Sequence, residues 1–399
     1  MTHLGYCLNV HPTERLDELL TLLRGPVARV RAGVGGERPL GVGLWLPQAV
    51  VAELEAPGAL ATLRATLDEA RLYAFTVNAF PIGGFHAERV KREVYRPTWL
   101  DPARRDYTVA AARVLAGLLP DGARGSLSTV PVSYSAFGDV DLAPAGTHLG
   151  QVALELERLS QETGHDLALA LEPEPLATLE TGDEAIAFLE GHVFAGAGRV
   201  VVADAGASEP EALLRRRIGV CVDTCHHACV FEDLEEVLAG YARAGVRVVK
   251  AQLSAALALA NPAQNAAGVA RLAEFHEPRY LHQTNGWVAG QRVRLEDLDE
   301  LLVDGALSAR LIDASQLRTH FHVPLCWEGD ALLDTTRPTL EVGLGALAAA
   351  TDHLEVETYT FDVLPAADRA RYGDDVVNML VAELRWAAAA LASRGVAVE

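Results

Sequence analysis

The sequence predicts an α/β fold, a closed (β/α)8 TIM barrel of xylose-isomerase-like type. Three observations carry the barrel. Eight short apolar runs recur along the 399 residues, with longer amphipathic stretches between them. The fifth run, 167–171, is apolar at every position, which reads as a strand buried on both faces. No glycine-rich phosphate turn follows the first run, because Gly35-Gly36 precedes the second. That argues against an open dinucleotide-binding sheet.

The runs fall at 4–10, 40–46, 72–80, 128–133, 167–171, 218–223, 246–253 and 354–358. Helical spacing of apolar positions predicts helices at 14–24, 107–119, 149–162, 234–244 and 376–394. One segment breaks the rhythm. Residues from 254 to about 354 are too many for an ordinary connection. They read as a helical piece at 266–275, a second at 295–302 and an extended piece at 318–324. Two helices are too few for an independent core. The expectation is one domain over 1–399, with about 254–330 inserted over the barrel mouth between the seventh and eighth strands.

Half the residues are apolar and 22% are charged, an ordinary globular balance. A net charge of −20 repels phosphodiester backbones, so no nucleic-acid partner is expected. Five cysteines without disulfide-like spacing fit a reducing cytoplasm. No uninterrupted apolar run of about 20 residues predicts a membrane span. No basic stretch followed by a long apolar run predicts a signal peptide. Oligomeric state is left open.

The ends of the runs are more polar than their middles. Glu172 and Glu174 follow the fifth run and share a face if the backbone stays extended. Prolines 173 and 175 stop the pairing there. Asp223 ends the sixth run and Glu357 falls near the end of the eighth; Glu355 shares its face but lies deeper. Lys250 and Gln252 share a face of the seventh. In parallel barrels the carboxyl ends of the strands carry the chemistry. Several buried carboxylates there call for one divalent cation, Mn, Zn, Co or Mg. His320 and His322, two apart in an extended stretch, are a further imidazole pair. His11, Asn78, His86 and Tyr134 are candidate substrate contacts. Lys250 is a candidate for orienting substrate, binding phosphate or forming a Schiff base. Cys225, His226, His227 and Cys229 lack the second pair of a structural zinc site.

Glu172, Asp223 with His226 three residues on, and Glu357 resemble the xylose-isomerase-like TIM barrels, which include sugar-phosphate isomerases, sugar 3-epimerases and endonuclease IV. A closer resemblance is to the EboE family of metabolite traffic proteins. It rests on the runs LGYCLNVH at 4–11, LEPEP at 171–175, HFHVP at 320–324 and EVETYT at 355–360. The resemblance implies the barrel but names no reaction. By position it implies metal ligands Glu172, Asp223 and Glu357, with His226 against a substrate hydroxyl. The remaining ligand, usually a histidine on strand seven, falls here at Gln252: either the metal is a hard cation that takes the amide oxygen, or His320 or His322 supplies the imidazole, or the site is degenerate. Glu174 and His320 would also contact substrate.

The implied chemistry is proton transfer beside a carbonyl, with Glu172 and Glu357 as base and acid on opposite faces of an ene-diolate. The expected activity is a metal-dependent isomerase or epimerase on a sugar, sugar phosphate or cyclitol-like metabolite. The alternatives are a metabolite-binding barrel without catalysis, or a metal-dependent hydrolase. A DNA-directed role would need a basic groove that −20 does not favour.

Overall fold

The fold was analysed in a computed structural model that describes all residues except 1, 37, 81, 139 and 399. Seven parallel strands come first: β1 (His3–Cys7), β2 (Leu40–Trp45), β3 (Leu72–Asn78), β4 (Arg124–Thr129), β5 (Asp166–Leu171), β6 (Ile218–Asp223) and β7 (Val248–Leu253). Seven more strands follow outside the barrel: β8 (Leu257–Ala260), β9 (Thr284–Val288), β10 (Gln291–Leu295), β11 (Leu302–Val303), β12 (Ala306–Leu307), β13 (Ala314–Thr319) and β14 (Asp334–Thr335). The last strand, β15 (His353–Val356), pairs with both β1 and β7 and closes the barrel in the order β1-β15-β7-β6-β5-β4-β3-β2. The sequence thus carries the TIM barrel it predicts.

Inward-facing side chains fill the barrel in layers. At the bottom, Ser126 Oγ bonds Thr76 Oγ1 and His353 Nδ1, each at 2.8 Å. Above them Lys250 donates to Glu355 at 2.6 Å and reaches Ser128 Oγ at 3.4 Å. Gly43 makes room for Glu355: a Cβ there would fall 1.3 Å from Glu355 Oε1.

The fourth strand starts and ends earlier than the expected 128–133. Pairing ends at Thr129, because Pro131 has no N–H to offer and Val132 turns back at φ 69°. Its true start, Arg124-Gly125-Ser126, has little strand propensity and so was hidden in the sequence. The expected helices are present with moved ends: Leu16–Leu22, which runs on through a π turn to Val34, then Pro102–Leu118, Ala143–Thr163, Leu234–Arg243 and Val376–Ala392.

One run, Gly182–Asp204, is long and apolar enough to cross a membrane by length and composition. It is broken near Gly196 and packs on the helix Ala143–Thr163. A Cβ on Gly150 would fall 2.7 Å from the Gly198 carbonyl oxygen, so glycine at 150 permits that close contact.

Between β7 and β15 the chain forms a five-stranded antiparallel sheet, ordered β10-β9-β13-β8-β14. Ala266–Ala273 is helical as expected. Residues 295–302 are not a helix, which corrects the sequence reading. They hold the end of β10, one 3-10 turn at Leu298–Glu300 and the start of β11. Asp297 Oδ1 accepts from the Leu298 and His282 N–H groups, and Glu300 caps the Glu296 N–H. Such local side-chain bonds compete with helix. The extended piece at 318–324 is strand only to Thr319. Beyond it the chain leaves the sheet and brings His320 and His322 to the barrel mouth.

Candidate metal centre

Three acidic residues of the mouth stand at or one residue past a strand end. Asp223 ends β6 and caps the short helix Thr224–Cys229. Its Oδ1 accepts from His226 N at 2.9 Å and Ser254 Oγ at 2.8 Å, which leaves Oδ2 with no partner. Glu357 follows β15. Its Oε1 accepts from Asn9 Nδ2 at 2.7 Å and Asn78 Nδ2 at 3.4 Å, and Oε2 has no partner. Glu172 follows β5, and its Oε2 likewise has none. All three are buried, and each offers an oxygen within 4.8 Å of the other two.

Unpartnered buried carboxylate oxygens are unfavourable alone and become ligands beside a cation. Burial, then the charges of Glu357 and Asp223, push the Glu172 carboxyl well above the ordinary range. Burial, then Asp223 and Glu355, do the same to Glu357. Lys250 below pulls both the other way without cancelling the rise. The donor set fits a divalent metal.

Beside the carboxylates lie three buried imidazoles. His226 Nε2 is 3.1 Å from His320 Nε2, which is 3.2 Å from His322 Nε2. Burial, and then the neighbouring imidazoles, hold His226 and His320 well below the usual histidine pKa. Burial lowers His322 as well. These are neutral rings, the form that binds metals. Asp223, His226 and His322 also place ligand atoms within 4.8 Å of one another, and so do Glu174, His226 and His320. Cys225 groups in the same way with His320 and His322, whereas His227 turns away to Glu232 at 2.6 Å.

Gln252 is buried on β7, level with Asp223 on β6 and Glu355 on β15. Its Oε1 accepts from the Cys221 thiol at 3.2 Å, and its Nε2 has no partner. Glu174 faces the histidines. Tyr95 Oη donates to its Oε1 at 2.6 Å, and burial pushes its pKa up to about 8.

A cleft of about 560 Å³ opens onto this cluster. Glu172, Glu174, His226, His320, His322, Glu357, Asn9 and Asn78 line its floor. Trp45, Phe80, Phe85, Tyr95, Tyr280 and Tyr359 line its walls. Phe85, Tyr280 and Tyr359 pack edge and face, with ring centres 5.0–5.3 Å apart.

Six sequence candidates stand outside that lining: Asp223 and Gln252, described above, and four more. His11 is buried against Tyr6 Oη at 3.3 Å. His86 Nε2 donates to the Asn9 carbonyl at 2.7 Å, bracing the loop that carries Asn9. Tyr134 stacks on Tyr95 at 4.6 Å and donates to Glu296 at 3.2 Å. Lys250 is held by Glu355 one layer down. Sequence reasoning missed Asn9, Ser254, Gln283 and the aromatic wall. Asn9 and Ser254 had a signal, as polar residues at the ends of buried strands. Gln283 and Tyr280 did not, because only the folded segment after β7 brings Tyr280 to the cleft and Gln283 to His320.

The closed parallel barrel with its site at the carboxyl ends of the strands defines a TIM barrel with a metal-competent mouth. No protein-family profile matches the chain, and no curated protein matches it. Its structural neighbours include a xylose isomerase domain protein from Alicyclobacillus acidocaldarius and a putative sugar phosphate isomerase/epimerase from Anabaena variabilis. The neighbours also include the IolI protein with a bound zinc atom, at 11% identity and TM-score 0.46 over 98% of this chain and 99% of that one. Another is the probable 3-DHS dehydratase AsbF of Bacillus anthracis, at 11% identity and TM-score 0.45 over 96% and 98%. D-psicose 3-epimerase, solved with D-fructose, aligns at 15% identity and TM-score 0.37 over 63% and 72%. At these identities the likeness concerns fold, and function must be argued from the site.

Proposed function

We propose that this protein is a divalent-metal-dependent isomerase or epimerase acting on a small polyhydroxylated metabolite, a sugar or cyclitol with a carbonyl. The observation that carries this reading is the convergence of three unpartnered carboxylate oxygens, from Glu172, Asp223 and Glu357, two of which (Glu172 and Glu357) line the floor of one cleft. These residues would hold the metal, and Gln252 stands in the place of a further ligand. When bound, the ion polarises the substrate carbonyl and its neighbouring hydroxyl. Glu172 and Glu357 come from different sides of the barrel, so one takes a proton from carbon and the other returns one. Asn9 and Asn78 fix the Glu357 carboxylate in orientation, and Ser254 fixes Asp223. His226, whose Nδ1–H is held by the Pro173 carbonyl at 3.0 Å, contacts a substrate hydroxyl.

The walls narrow the substrate class. Lys91 is the lysine or arginine among the described lining residues, and it is committed to the Tyr280 and Glu277 carbonyls and to Asp297. Among the described lining residues no uncommitted lysine or arginine awaits a phosphate, which favours the unphosphorylated compound. The aromatic rings suit the apolar face of a sugar or cyclitol ring.

We take residues 1–399 as one domain, with about 254–330 inserted at the mouth, in a cytoplasmic protein of the EboE type. A second reading, a barrel that binds a metabolite without converting it, draws on Gln252, whose amide oxygen is already engaged by Cys221.

Incubation of metal-loaded protein with ketoses and ketocyclitols in D2O, followed by NMR, tests the proposal. Deuterium should enter at the carbon beside the carbonyl, and Glu172→Gln should slow that exchange at least 100-fold. Tight binding of such compounds with no exchange would replace the enzyme by the binding barrel.

A further inference from the structure

We infer that the mouth holds a second divalent-metal site, built by His226, His320 and His322, beside the carboxylate site and sharing Asp223 with it. The inference rests on where the imidazole protons are. His226 Nδ1 is 3.0 Å from the Pro173 carbonyl oxygen. His322 Nδ1 is 2.8 Å from the Glu357 carbonyl oxygen. A carbonyl only accepts, so both rings carry their proton on Nδ1. His320 Nδ1 is 2.8 Å from Gln283 Oε1. The Gln283 amide is oriented by its Nε2, which donates to the Pro175 carbonyl and to Tyr95 Oη, each at 3.2 Å. Its other end is therefore an acceptor, and His320 also donates from Nδ1.

All three rings then present a bare Nε2 lone pair, and these meet at 3.1 and 3.2 Å. Lone pairs facing one another at that distance repel. One extra proton on His320 Nε2 would point to one neighbour and leave the other contact repulsive. A metal ion satisfies all three together. Two nitrogens bound tetrahedrally at about 2.0 Å stand roughly 3.3 Å apart, close to the spacing here. Each ligating ring donates its other N–H to an oxygen, the outer support that metal-binding histidines ordinarily have. Asp223 joins the two sites. Its Oδ1 is occupied by Ser254 and His226 N–H, while Oδ2 has no partner, and the residue belongs to both ligand groups.

The two sites differ in chemistry. Imidazoles select Zn²⁺ or Co²⁺, whereas a carboxylate set suits Mn²⁺ or Mg²⁺. His226 and His320 are thereby ligands when this site is filled, in place of the substrate contact given them above, and the strand-seven position held by Gln252 is not where the imidazoles gather.

The inference shares the mouth with the proposed function, so the test separates them by metal content. Protein saturated with Zn²⁺ and desalted is measured by elemental analysis as wild type, Glu172→Gln and His320→Ala. Two equivalents in wild type and one in each variant is the expected result. One equivalent lost in Glu172→Gln but kept in His320→Ala overturns the histidine site and leaves the carboxylate reading standing. One equivalent lost only in His320→Ala keeps the histidine site and removes the carboxylate metal. A wild type that holds only one equivalent, absent from both variants, means a single mixed site and overturns the inference. No metal in any sample overturns both. X-ray absorption at the zinc edge of wild type loaded with one equivalent needs no variant. Scattering from about three imidazoles supports the site, and its absence counts against it.

Discussion

Two layers of one barrel hold buried carboxylates in opposite ways. In the lower layer Glu355 meets Lys250 at 2.6 Å, and both are fully buried. Two residues further along the same strand direction, Glu357 meets Glu172 and Asp223. Among the described residues no lysine or arginine lies within ion-pair reach of those three. The lower layer carries its own cation, and Gly43 leaves the space for the Glu355 carboxylate. The upper layer has three carboxylates with a free oxygen on each. A buried charge needs a partner. One layer finds it in the chain, and the other must take it from solution. The lower pair is therefore structural and the upper trio is where a metal would act.

The strongest way to break this comparison is to take the internal cation away. Lys250→Met leaves Glu355 buried without its partner and should destabilise the protein by about 3–5 kcal/mol. Urea unfolding reads this directly. Lys250→Met with Glu355→Leu removes both charges and should recover most of the loss. A single variant within about 1 kcal/mol of wild type would mean that Lys250 does not neutralise the lower layer.

The mouth should respond with the opposite sign. In chelator-treated protein, Glu172→Gln removes one of three crowded carboxylates and should stabilise the fold by about 2 kcal/mol. In metal-saturated protein the same change should lower the melting temperature, because the ligand is lost and binding no longer favours the folded state. A variant that destabilises equally with and without metal would make Glu172 a packing residue.

The layers were not equally legible in the sequence. The upper one was readable because carboxylates that follow apolar runs stand out: Glu172, Asp223 and Glu357 all sit at strand ends. The lower one was visible only in part. Glu355 could be paired by periodicity with Glu357, but nothing in the sequence says that Lys250, over a hundred residues earlier, lies against it. Closure of β15 onto β7 makes that contact. The histidines show the same limit. Their shared spacing marked His320 and His322, yet the meeting with His226 depends on how the antiparallel sheet after β7 delivers residue 320. That sheet escaped the reading, since its strands are short and Leu295, Leu298 and Leu301 mimic a helical stripe. The barrel itself was plain because seven of its eight strands fall at the predicted apolar-rich runs. The eighth, β4, was displaced because Gly125 and Ser126 face close neighbours and carry little strand signal.

A third buried carboxylate sharpens the comparison with the smallest effect. Glu383 is buried in the helix Val376–Ala392, and among the described residues no lysine, arginine or histidine pairs with it. Thr358 Oγ1 donates to its Oε1 at 2.7 Å and Leu325 N at 2.9 Å, while Oε2 has no partner. Burial raises its pKa to about 7, and the two hydrogen bonds pull only partly the other way. This group is held by protonation, where Glu355 has a lysine and the mouth trio takes a metal. The sign follows from linkage. In the unfolded chain the carboxyl has lost its proton by about pH 6, while the folded protein keeps it until about pH 7. The folded state then binds more protons, so stability falls as pH rises through that window, by about 1 kcal/mol between pH 6 and 7. Glu383→Gln places an amide where the protonated acid stood and cannot ionise. The difference in urea stability between wild type and this variant should therefore shift by that amount in favour of the variant across the same interval. Parallel pH curves for the two proteins would mean that Glu383 is already ionised at pH 6 and that Oε2 has found a donor. Only the lysine and the metal would then remain as ways in which this fold carries a buried acid.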